Sequence, residues 1–91
     1  MTQIVVSPER LESVARTFEG KKTETENMIS ALRSTMDSLD VDWDGVAQHK
    51  FYNEWNEMLP KMTQFTELLG EISSELRRIA QVFRETDEQV I

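Results

Sequence analysis

Phe51, Trp55, Met58, Met62, Phe65, Leu69, Ile72, Leu76, Ile79 and Phe83 follow one another at alternating steps of four and three residues. A strand brings every second residue to one face, whereas a helix of 3.6 residues per turn aligns positions three and four apart, so this series specifies a long amphipathic helix with a heptad seam. The spacing predicts helix two over about residues 46–88. With Trp55 at position a, Pro60 falls at f, farthest from the seam, where water can replace the hydrogen bond that proline removes while the helix bends. The stripe also widens to Tyr52, Leu59, Leu68, Ala80 and Val82, more than a two-helix contact covers, which implies a further partner surface.

The first half reads as a second amphipathic helix, over about 8–39. Ser7 is placed to cap the free N–H groups, Pro8 takes the first helical position, and Glu9 faces the positive end of the dipole. Leu11, Val14, Ala15, Phe18, Met28, Ile29, Leu32, Met36 and Leu39 then share one face. The stripe lapses from Glu19 to Asn27, and Gly20 costs a helix ~1 kcal/mol relative to Ala. Leu11, Phe18, Leu32 and Leu39 nevertheless keep one heptad phase across the gap, which predicts a continuous helix with a weakly packed middle.

Trp43-Asp44-Gly45 lies between the two arms, and residues 40–45 read as the bend of an antiparallel helical hairpin, with Gly45 supplying backbone freedom. A Trp at a tight connection carries a large packing payload and marks a surface that something else covers. At 1.5 Å per residue the arms span ~48 Å and ~65 Å. Folding them back places the start of helix one opposite roughly residue 77, so that residues 78–91 form a C-terminal overhang containing Ile79, Val82 and Phe83. A lone hairpin of this size buries little, and pairing into a dimeric four-helix bundle is the expected remedy.

Composition narrows the function classes. Ninety-one residues allow one domain, and a charged fraction of 30% with three Gly and two Pro suits a helical chain. The net charge of −7 is spread over both halves without a basic cluster. That argues against binding nucleic acid or an anionic membrane. The absence of cysteine excludes disulfides and thiol chemistry. Met1 to Ser7 has no basic flank and only Ile4-Val5-Val6 as an apolar run, too short for a secretory signal or a membrane span, so export would need another route.

No constellation for catalysis stands out. His49 is the single histidine, there is no Gly-rich phosphate loop, and no nucleophile and base are paired by spacing. Neither enzyme activity nor a cofactor is expected. Asp40-Val41-Asp42-Trp43-Asp44-Gly45 imitates the first half of a calcium loop, but Phe51 occupies the place of the bidentate Glu, so no metal site is expected. Asp40 and Asp42 read instead as polar loop residues, with Asp44 adding charge at the start of helix two. Met28, Met36, Met58 and Met62 read as core filling. Phe83 and Asp87 share one helical face four residues apart.

This arrangement resembles the WXG (Trp-x-Gly) family of small early-secreted-antigen-like proteins exported by type VII secretion systems. The resemblance rests on the chain length, Trp43-Asp44-Gly45 at the centre, and the aromatic-x-x-x-acid pair Phe83 and Asp87. Ser7-Pro8-Glu9 and Leu59-Pro60-Lys61 look like the Gram-positive branch. The resemblance implies an antiparallel homodimer, or a heterodimer with a related small protein, that is cytoplasmic before export and secreted without a signal peptide or stable membrane insertion. It also implies a composite export signal, Trp43 and Gly45 of one chain read with Phe83 and Asp87 of the other by a membrane-bound secretion ATPase. Phe83 stands where the family motif has Tyr, which puts any step needing a phenolic hydroxyl in doubt. The seam residues Leu11, Phe18, Leu32, Leu39, Phe51, Trp55, Met58, Met62, Phe65, Leu69, Ile72, Leu76 and Ile79 are assigned to core and dimer contacts. An alternative function is a helical adaptor or chaperone that pairs with a larger secreted toxin.

Overall fold

The computed structural model describes residues 6–86, which form two helices, α1 (Pro8–Asp42) and α2 (Val46–Thr86), folded antiparallel on each other. The hairpin measures 65 × 22 × 20 Å. Among the described residues there is no strand, and no helix is long and apolar enough to cross a membrane.

The start of α1 follows from its capping residues. The Ser7 hydroxyl accepts a hydrogen bond from the Arg10 N–H at 3.1 Å while the Ser7 carbonyl accepts from Leu11 N–H, and Pro8 is buried at the first helical position. The helix is unbroken through the polar stretch after Glu19. There Lys21 pairs with Glu24 and Lys22 with Glu26, and the Thr23 and Thr25 hydroxyls donate to carbonyls one turn back. Pro60 is exposed and α2 continues past it. Lys22 lies across Gly70 of α2, where a Cβ would come within 3.0 Å of its side chain.

The two helices meet along small and polar residues. Ala15 and Ala80 have no solvent exposure, and Thr66, Leu69 and Ser73 are buried. Tyr52, Leu59, Thr66, Ser73 and Ala80 recur every seven residues, and all are buried or half-buried. This column of α2 faces α1, and it lies one position beyond part of the expected seam. Phe51, Met58 and Phe65 consequently point outward, with Met58 and Phe65 each 53% exposed, and Leu32 and Leu39 of α1 are exposed as well. The apolar pattern includes Tyr52, Leu59 and Ala80 of this column in its widened stripe but passes over Thr66 and Ser73, whose hydroxyls are satisfied by the Met62 carbonyl one turn back and by Glu19 across the contact. Trp55, Met62, Leu69, Leu76 and Phe83 remain buried or half-buried along the margin of the contact, as do Leu11 and Phe18 of α1, and Ile72 and Ile79, which continue the column of Phe51, Met58 and Phe65, are half-buried.

Two boundaries differ from expectation. Asp40, Val41 and Asp42 belong to the last turn of α1, leaving Trp43, Asp44 and Gly45 as the whole connection. The later reversal carries α1 farther along its partner. Arg84 reaches Glu12 and Glu9, and Ala80 is fully buried, so residues 78–84 lie against the first turns of α1 and the overhang expected from residue 78 does not form there.

Candidate functional site

The bend is built by two complementary helix ends. Trp43 is the extended residue that stops α1, with φ −124° and ψ 126°. Gly45 sits at φ +114°, a conformation that side-chain-bearing residues rarely adopt, and its carbonyl accepts the first bond of α2 from His49 N–H at 3.2 Å. The Asp44 carboxylate accepts from Gly45 N–H at 2.8 Å, which ties down the peptide between them. Gln48 donates to Asp40 across the connection, so Asp40 serves as a brace between helix ends rather than as a loop ligand. The His49 side chain is exposed.

Three rings gather at this point. Trp43 lies 5.7 Å from Phe51 and 6.5 Å from Tyr52, and Phe51 and Tyr52 meet edge to face at 5.9 Å. The Tyr52 hydroxyl donates to the Met36 carbonyl on α1. Burial, and then the Asp40 and Asp37 carboxylates, push its pKa above the ordinary 10.0, keeping it a donor. Trp43 itself is half-buried, neither hidden in a core nor free in solvent.

The two edges of the interhelical contact differ in character. On one, Glu19 accepts from Arg77 Nε and Nη2 at 2.7 and 2.8 Å and from the Ser73 hydroxyl at 2.6 Å. These bonds, Arg77 first, hold the Glu19 pKa at about 2. One heptad away Arg84 grips Glu12 in the same two-pronged way and lowers its pKa. Sequence reasoning missed this edge, placing Glu19 at the start of a stretch with nothing to bury; the matched seven-residue steps from Glu12 to Glu19 and from Arg77 to Arg84 are the signal that was available. The other edge is an apolar groove lined by Met28, Ile29, Leu32, Met62 and Phe65, with Thr25 and Lys61 at its rim.

Of the expected export residues, Trp43 and Gly45 lie together at the bend and Phe83 lies half-buried near the far end. Some forty residues of helix at 1.5 Å each put roughly 60 Å between Trp43 and Phe83, so the two do not meet within one hairpin. Asp87 is outside the described residues.

A family model described as proteins of 100 residues with WXG matches residues 3–88. The chain belongs to the WXG100 family. Several similar proteins match it nearly end to end. An ESAT-6-like protein of Streptococcus agalactiae is 30% identical over 99% of this chain and 94% of its own length. The type VII secretion system extracellular protein A of Staphylococcus aureus is 26% identical over 99% of this chain and 93% of its own. Among solved structures, the secreted protein EsxB of Bacillus anthracis superposes with a TM-score of 0.82 at 37% identity, covering 96% of this chain and 99% of that one. Geobacillus thermodenitrificans EsxA gives the same TM-score at 26% identity, over 97% and 96%.

Proposed function

We propose that this WXG100 protein is a small, non-enzymatic type VII secretion substrate, exported as a folded antiparallel dimer of hairpins. The observation that carries the proposal is the pairing of a preformed Trp43-Asp44-Gly45 bend with an open apolar face. Met28, Leu32, Leu39, Phe51, Met58 and Phe65 are exposed on a chain whose two helices already satisfy each other. An uncovered face of this kind favours association, and a second copy offers a self-complementary one. The names of the similar proteins from Staphylococcus aureus and Bacillus anthracis support secretion as the setting.

Antiparallel pairing also answers the separation within one chain. It brings Trp43 and Gly45 of one hairpin near Phe83 and Asp87 of its partner, forming a signal for a membrane-bound secretion ATPase. The export route requires no signal peptide, and the protein is cytoplasmic until it is exported.

Complementation between two chains tests this reading. Homodimers of Trp43→Ala and of Asp87→Ala are each expected to stay in the cell. Co-expression restores export, because a mixed dimer keeps one end with both Trp43 and Asp87 intact. Export of each single variant at the wild-type level, or failure of a demonstrated mixed dimer to be exported, contradicts a signal composed across the dimer.

A further inference from the structure

We propose that Tyr52 is the positioning residue for Trp43, fixing the indole in the pose in which the export machinery reads it; the inference rests on the export reading above. Met36 lies in the last turns of α1 and Trp43 is the extended residue that ends the helix seven positions on, and Tyr52 of α2 reaches both. Its hydroxyl is anchored on the Met36 carbonyl, whose second lone pair is free to accept beyond the helix's own bond. Its ring stands 6.5 Å from the indole and braces Phe51, which closes the third side at 5.7 Å from Trp43.

In this ring cluster Tyr52 is the member anchored to the other helix. Trp43 is extended backbone between two helix ends, with only Asp44 and Gly45 before α2 begins, so its side chain depends on α2 for orientation. A ring tethered at its far end by a hydrogen bond provides a fixed wall, whereas an aliphatic side chain at position 52 provides none. Holding the indole in place before recognition removes the entropy cost of ordering it on contact. Tyr52 thus acts through Trp43 and needs no contact with the secretion ATPase.

The test reads Trp43 emission in a Trp55→Phe background, and reads export from the native host, helicity and oligomeric state with Trp55 retained. Tyr52→Leu is expected to red-shift Trp43 emission, increase its quenching by acrylamide and reduce export toward the level of Trp43→Ala, with helicity and dimerisation unchanged. Tyr52→Phe, which keeps the ring and loses only the tether, is expected to lie between Tyr52→Leu and wild type in both readouts. Normal export of Trp43→Ala overturns the export reading and this inference with it. If Trp43→Ala is retained while Tyr52→Leu is exported normally, the inference alone fails. It fails equally if Tyr52→Leu loses helicity or dimerisation in step with export, since the role is then structural.

Discussion

Glu19 and Arg77, 58 residues apart in sequence, are joined by two parallel charge-assisted hydrogen bonds with Ser73 donating a third to the same carboxylate. This junction ties α1 to α2 along one edge of their contact, beside the buried Ala15, Leu69 and Ala80. It makes the hairpin acid-sensitive in a defined window. The unfolded chain protonates Glu19 near 4.5 and the folded chain near 2, so the contribution is complete above 4.5 and disappears as pH falls toward 2. Both side chains are about half exposed, at 41% and 46%, and solvent screening keeps the effect modest. Thermal melting followed from pH 6 to pH 2 is expected to show the loss, and Glu19→Gln to flatten the curve over that interval; an unaltered pH profile in the variant contradicts the assignment.

The glycines separate by conformation. Gly20 is helical, with nothing within 4 Å of an added Cβ, so Gly20→Ala is expected to stabilise the chain by ~1 kcal/mol. Gly45 has equally open surroundings but a φ of +114°, and Gly45→Ala is expected to destabilise by roughly 1–3 kcal/mol from backbone strain alone. Urea denaturation midpoints of the two variants should therefore move in opposite directions.

The outward column of α2 gives a prediction that distinguishes association from folding. Phe65→Asp places a charge on a residue that is 53% exposed in the single hairpin, so helicity should persist while sedimentation shows a shift from dimer to monomer. Leu69→Asp, at a position only 8% exposed, should lower helicity as well. Persistence of the dimer in Phe65→Asp would remove that column from the interface.

Much of the hairpin was legible in the residues themselves. Ser7 and Pro8 mark the start of α1, Gly45 marks the reversal, and the heptad phase shared by Phe18 and Leu32 carries the helix through its polar middle. The rotation of α2 about its own axis was not legible, because hydrophobicity alone ranks Phe65 above Thr66 as a contact residue. What reverses the order is a hydrogen-bond inventory: Thr66 and Ser73 have partners and small volumes, so the helices approach closely there. The bend was located but made too long, since Asp40 and Asp42 carry loop-like side chains into a helical turn that Gln48 braces from the other arm.

Export itself is the most direct test of the central claim. Culture supernatant and cell lysate of the native host are compared for the wild-type chain and for Asp87→Ala, with a cytosolic marker to control for lysis. The account predicts wild-type protein in the supernatant and the variant retained in the lysate at undiminished level. Wild-type protein found wholly in the lysate, with the secretion system active, would contradict it.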